Sequence, residues 1–252
     1  MMSTTSQSTY RSPRSKIGRL LLTSRIAKVG EILGVFLVGL LLIQLLLPLA
    51  GDNIIVQQAI VWVANVVMLL LVWWGIRVRG QHWSDIGLTF RQITLKESFR
   101  IFLQSLLVFV MAMAAFVLGS IIMANITGIP ESADMSNYSY LQDNLFMLIL
   151  TLIGVYIVSS FGEEIIYRAF LINRLRELGL ATKTGTVLAV VLSAIVFGLI
   201  HYEWGPMGVV QTGFMGLVLG VCYLKFNHGL WVVILAHAYM DTILMVQMYL
   251  AG

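Results

Sequence analysis

Charged residues are scarce in this 252-residue chain: they make up 11% of it, whereas hydrophobic residues make up 59%. Soluble globular domains carry roughly 25% charged residues, so a water-soluble fold is excluded. Cysteine is scarcer still, with Cys222 alone, which rules out an internal disulfide and a cysteine-rich metal cluster. No acid precedes Glu31, although Arg11, Arg14, Lys16, Arg19, Arg25 and Lys28 all fall before it. Internal repeats are missing, as is any inverted pair of Gly/Pro-broken spans of the kind found in transporters. The soluble zinc-protease signature HExxH is also missing, since His201 is followed by Tyr-Glu and His237 by Ala-Tyr.

What the chain has in abundance is long apolar runs. Those over roughly 31–50, 54–76, 99–123, 144–170, 186–202, 206–225 and 229–250 predict seven spans, and at about 20 residues per span the length admits eight at most. The runs are continuous rather than alternating, which argues against a membrane β-barrel. The expected fold is an all-α polytopic membrane bundle, with a basic tail at 1–28 and a transmembrane domain at 29–252. Within that domain, 31–123 reads as scaffold and 144–250 as catalytic. Residues 16–28 predict an interfacial helix that turns Ile17, Leu20, Leu21 and Ile26 toward lipid.

The basic tail places the N-terminus in the cytoplasm by the positive-inside rule. Alternating crossings then put Arg77, Arg79, Arg91, Lys96, Arg100, Arg168, Arg174, Arg176, Lys183 and Lys225 on the same side. Asp52, Glu131, Asp134, Asp143 and Glu203 fall opposite, giving an N-in, C-out protein of a bacterial plasma membrane. The bases read as headgroup anchors, so the bilayer is the expected partner and nucleic acid is not.

An ionisable side chain inside a span costs about 2.5–3.5 kcal/mol on insertion scales, so each one needs a reason. Glu163, Glu164, His201, His237 and Asp241 stand out, accompanied by Arg168, all in the last four spans. In Phe161-Gly-Glu-Glu-Ile-Ile-Tyr-Arg168, Glu164 and Arg168 stand at i and i+4, the spacing of an intrahelical ion pair. Glu163 projects about 100° away and is the candidate base, with Tyr167 at i+4 placed to hydrogen-bond it. His201 follows the next span by about as many residues from position 182 as the glutamates precede it, which sets them level if that span is tilted or shortened. His237 and Asp241 again stand at i and i+4, the spacing at which a carboxylate orients an imidazole. A glutamate and two histidines on three spans can activate one water and stabilise an oxyanion, or form a three-ligand zinc site with Glu163, His201 and His237 as ligands. Amide hydrolysis fits either arrangement.

These segments resemble the motif set of the CPBP intramembrane proteases, which include the type II CAAX prenyl endopeptidases and bacteriocin-processing proteins. The patterns EExxxR, FxxxH and HxxxN/D read here as Glu163-Glu164-Ile-Ile-Tyr-Arg168, Phe197-Gly-Leu-Ile-His201 and His237-Ala-Tyr-Met-Asp241. Trp83-Ser-Asp-Ile-Gly-Leu88 looks like the family's pre-helix segment. The resemblance implies an intramembrane endopeptidase acting on a membrane-associated or lipidated peptide, with Glu163 and His201 activating water and His237 with residue 241 on the oxyanion side. The cofactor is none or a divalent metal such as zinc. Several prenyl proteases carry Asn where this chain has Asp241, and an ionised Asp cannot donate to an oxyanion. Asp241 therefore carries a proton, orients His237, or joins a metal. Readings from other classes are an inert membrane scaffold or chaperone and a proton-coupled transporter. A transporter predicts polar groups along a path through both leaflets, whereas here they gather at one level.

Overall fold

A computed structural model of the chain describes residues 13–128, 136–226 and 229–251. The first 12 residues of the expected tail lie outside the described residues, as do Glu131 and Asp134. Among the described residues there are eight helices and no strand: α1 Lys16–Thr23, α2 Arg25–Leu46, α3 Ile54–Val78, α4 Leu95–Thr127, α5 Leu145–Leu180, α6 Lys183–Leu199, α7 Gly205–Lys225 and α8 Leu230–Leu250. Six of them are long and apolar enough to cross a membrane, against the seven expected, and α6, at 17 residues where a span over 186–202 was expected, is apolar but shorter than these.

Short polar residues fix where the helices begin. Ser24, Asn53, Asn144 and Thr182 each accept a backbone N–H of the first turn of α2, α3, α5 and α6, satisfying donors that would otherwise be stranded. Thr94 and Glu97 form a reciprocal capping box at the start of α4. Ser24 also ends α1, so the expected single helix over 16–28 is two. Ile17, Leu20 and Ile26 are exposed as expected, but Leu21 is buried. The reason is the hold on α1: its flank is tied to α3 by the Arg14 N–H, which donates to the Val78 carbonyl at 3.1 Å, and this turns Leu21 inward.

Helix α5 is the axis of the fold. It packs against α3, α6 and α8, while α4 covers α7 and α8. Its middle is buried on every side, from Gly162 through Ile172, which is why the sequence there shows no amphipathic stripe. Over Tyr156–Ile172 the backbone bonds in wider i→i+5 turns, a geometry that recurs at functional sites. The segment before α4 is anchored from beneath, with Ile86 and Leu88 buried and the Tyr223 hydroxyl donating to the Ile86 carbonyl at 2.9 Å.

The bases at one end of the bundle are not all headgroup anchors. Arg79 and Arg174 are fully buried, and they meet Glu31 and Glu177 in a network that ties α2, α3 and α5 together. Arg79 reaches both glutamates, Arg174 lies 2.6 Å from Glu177 and 3.2 Å from Glu31, and Lys28 adds a contact to Glu177 at 3.6 Å. Glu31 and Glu177 are the acids of this end, and closing them inward over the helix ends draws the two arginines with them. Removing one partner of a buried pair leaves the other charge uncompensated, at a cost of about 3–5 kcal/mol. Arg79→Ala is therefore expected to destabilise the purified protein by about that amount, read as a lowered thermal midpoint in detergent, whereas Arg91→Ala, on the exposed pair with Glu97, leaves the midpoint in place.

Candidate active site

The polar residues of the last four spans converge on the middle of α5. The Glu164 carboxylate is the hub, because its Oε1 lies 3.0 Å from Arg168 Nη1 and 2.8 Å from His237 Nδ1. The i,i+4 ion pair read from sequence is present. The partner of His237 differs from expectation: Glu164, not Asp241, binds its Nδ1, and Asp241 Oδ1 stands 3.7 Å from Nε2, beyond hydrogen-bonding distance. Helix rotation explains the change. Residues i and i+4 share a face, but the face of α8 that carries His237 is turned onto α5, where a carboxylate already waits.

Asp241 is held instead by Ser160, whose hydroxyl donates to its Oδ2 at 2.7 Å. Ser159, on the preceding position, brings its Oγ to 3.4 Å from His237 Nε2. Neither serine was among the residues singled out from sequence. The signal that finds them is helical spacing, since 159 and 160 precede Glu163 and Glu164 by one turn and share their faces.

Glu163 is 7% exposed, and its Oε2 is buried with no hydrogen-bond partner among the described residues. The expected bond from Tyr167 is not made. That ring is wedged between Phe36 and Phe197, at centroid distances of 5.7 and 5.2 Å, and the Tyr167 carbonyl accepts from Ser193 of α6 at 2.7 Å. Aromatic packing outcompetes the local hydrogen bond and draws the phenol into the core.

His201 joins the group through Phe197. The Phe197 ring lies under the Arg168 guanidinium at 4.0 Å, packs edgewise on His201 at 4.9 Å and on His237 at 6.0 Å. His201 donates from Nδ1 to the Phe197 carbonyl at 2.8 Å, because a carbonyl can only accept, and this leaves Nε2 as the free acceptor. Trp204 stacks on its other side at 5.0 Å. Tyr138, in the turn Ser136–Leu141, meets Trp204 at this end of the site, and burial pushes its phenol well above the usual value. A Cβ at Gly198 would strike the Val209 carbonyl and the Gly213 backbone, so this glycine is what lets α6 and α7 close beside His201. Between these two helices runs an apolar groove of about 230 Å³, lined by Ala194, Gly198, Leu199, Gly213 and Phe214.

Among the described residues, no three of His, Cys, Asp and Glu gather as a metal site. Glu163, His201 and His237 are not gathered as such a group, although each histidine has Nδ1 engaged, by the Phe197 carbonyl for His201 and by Glu164 for His237, and Nε2 clear of that bond.

Residues 145–243 match a family model, that of the Rce1-like type II CAAX prenyl endopeptidases. The match begins at the first residue of α5 and ends just past Asp241, so it takes in all three motifs and leaves α1 to α4 outside. The match falls on the stretch that carries the three motifs, so the resemblance read from them is to this family over residues 145–243. No curated protein matches the chain, and no solved structure does.

The geometry separates the two glutamates by role, and a stability measurement reads that separation. Glu164→Ala strands Arg168 in the core and is expected to cost about 3–5 kcal/mol. Glu163→Gln removes no ion-pair partner and is expected to leave the thermal midpoint of the detergent-solubilised protein unchanged.

Proposed function

We propose that this protein is an intramembrane endopeptidase that hydrolyses a peptide bond of a membrane-associated or lipidated peptide, with water activated by Glu163 and His201. The observation that carries the reading is that Glu163 Oε2 is buried with no partner while, unlike Glu164, Glu163 has no ion pair among the described residues. A buried unpaired carboxylate oxygen costs stability, so a bundle that served only as scaffold has no use for it. A water placed there receives an acceptor from Glu163, and His201, whose Nδ1 is engaged with the Phe197 carbonyl, keeps Nε2 as a second acceptor.

The step follows from these groups. Glu163 takes a proton from water as its oxygen adds to the carbonyl carbon of the substrate, and that proton passes to the leaving amine as the C–N bond breaks. His237 faces carboxylates at both ring nitrogens, Glu164 at Nδ1 and Asp241 near Nε2. Nδ1 donates to Glu164, and the Asp241 carboxylate 3.7 Å from Nε2 favours a hydrogen there without bonding it, so Nε2–H is the donor for the developing oxyanion. Glu164, Arg168, Ser160 and Asp241 act as the frame that holds this ring.

The burial of Glu163 and His237 within the apolar bundle supports a substrate that arrives within the bilayer, carrying a lipid chain or an apolar segment. The gathering of Lys28, Arg79, Arg174 and Glu177 at one end of the bundle supports the N-in orientation, because alternating crossings bring those helix ends to one side. The bacterial plasma membrane is the proposed location.

The test is cleavage in proteoliposomes of two fluorogenic peptides, one farnesylated with a CAAX terminus and one unlipidated with a single apolar span. Wild type is expected to cleave one of them. Glu163→Gln is expected to lose about 10²–10⁴-fold in kcat, the range for a general base, and His201→Ala and His237→Ala are expected to fall with it. Activity is expected to survive exhaustive chelation with metal content verified below one equivalent. Equal turnover by wild type and Glu163→Gln would sink the mechanism.

A further inference from the structure

Residues 87–93, the start of α4 and the start of α8 enclose a cavity of about 160 Å³ that the proposed mechanism does not use. Its wall is held in place. Trp231, in the first turn of α8, donates from its indole Nε1 to the Thr89 carbonyl at 2.9 Å and meets the Phe90 ring edgewise at 5.8 Å. Arg91, Glu97, Arg100 and Gln104 give the cavity its polar side, and Leu230 and Val232 close it with apolar surface.

Charge indicates what the cavity takes. Arg91 lies 2.6 Å from Glu97, which cancels one unit, whereas Arg100 and Gln104 have no side-chain partner among the described residues. The lining therefore carries one positive charge in excess, with a guanidinium fork and an amide left to donate. A phosphodiester with a single negative charge complements it. The cavity stands at the ends of two helices long and apolar enough to cross a membrane, which is the level of lipid headgroups. From Arg100, residues Leu103, Leu107 and Met111 follow at i+3, i+7 and i+11, one stripe along α4, and all three are exposed. A free phosphate has no use for such a stripe, whereas an acyl chain lies along it.

We propose that this cavity is a binding site for an anionic phospholipid: its phosphate accepts from Arg100 and Gln104 with Arg91 beside them, and an acyl chain runs along Leu103, Leu107 and Met111. The bound lipid joins α4, the segment before it and the first turn of α8, so its occupancy stabilises the folded bundle. Glu97 sets the charge of the site, because its carboxylate holds Arg91 and leaves room for one negative group rather than several. The site is separate from the cluster around Glu163 and does not depend on the endopeptidase reading.

The experiment is thermal unfolding of the delipidated protein in dodecyl maltoside micelles, titrated with phosphatidylglycerol, with phosphatidylcholine or with glycerol phosphate. Phosphatidylglycerol is expected to raise the thermal midpoint saturably, and the other two to leave it in place. Arg91→Gln/Arg100→Gln is expected to raise the half-saturating mole fraction of phosphatidylglycerol about 30-fold, and Glu97→Gln to lower it about fivefold, the worth of two charges and of one at a headgroup. Glutamine keeps the capping box of α4, so tighter binding by Glu97→Gln is a gain that no loss of folding can produce. Lys16→Gln/Arg19→Gln, exposed on α1 and outside the cavity, is expected to keep the wild-type value. Four results would each overturn the assignment: an equal rise with phosphatidylcholine, a rise with glycerol phosphate as large as with the lipid, Glu97→Gln binding no better than wild type, or equal losses in the cavity and α1 variants, which would mean diffuse attraction to the whole basic end.

Discussion

A charge surrounded by hydrocarbon has to meet an opposite charge at contact distance, and in this bundle that requirement falls on Glu164. One of its oxygens serves Arg168 from its own helix and His237 from α8. Arg168 in turn lies on the face of Phe197, which belongs to α6 and touches both histidines. A single buried carboxylate therefore sets the rotation of α5, α6 and α8 about one another. The residues that satisfy it are the residues that bring His201 and His237 to the same side of α5.

The second polar layer works on the same principle at the other end of α5. Glu31, Arg79, Arg174 and Glu177 close α2 and α3 onto its last turns. Between the two layers α5 is apolar and buried, from Ile165 and Ile166 through Ala169 to Ile172. The layers divide the work: the terminal one secures the scaffold pair, and the central one shapes the site. A helix that carries both cannot turn to suit one without displacing the other. The wide turns over Tyr156–Ile172 fall where the central layer is built.

What could be read from the sequence, and what could not, follows from the same geometry. Six of the seven expected spans were legible because insertion into lipid demands long apolar runs, whereas α6 is an apolar helix of 17 residues, shorter than those six. The Glu164–Arg168 pair was legible because both residues lie on one helix at fixed spacing. Contacts between helices were not, because they depend on a rotation that no local pattern encodes. His237 has Asp241 four residues away on its own helix, yet it binds Glu164 across 73 positions of sequence. Tyr167 was misread for the same reason, its phenol being claimed by rings from α2 and α6. Arg79 and Arg174 read as headgroup anchors because charge counting treats each loop as solvent, and these two residues are drawn inside instead.

Four carboxylates and two histidines sit in parts of this chain that are otherwise apolar, and only one of the carboxylates lacks an obvious structural duty. Glu31 and Glu164 each neutralise buried arginines, and Asp241 accepts from Ser160. Glu163 does none of these. Moving it to an apolar residue would relieve an unpaired buried oxygen without disturbing any ion pair, so stability alone gives no reason for a glutamate there. The reason has to be chemical. On the proposed mechanism its neighbours supply it, since an acceptor at Glu163, an acceptor at His201 Nε2 and a donor at His237 Nε2 have complementary functions. A water and a carbonyl carbon need that combination when they react, and a folded bundle at rest does not.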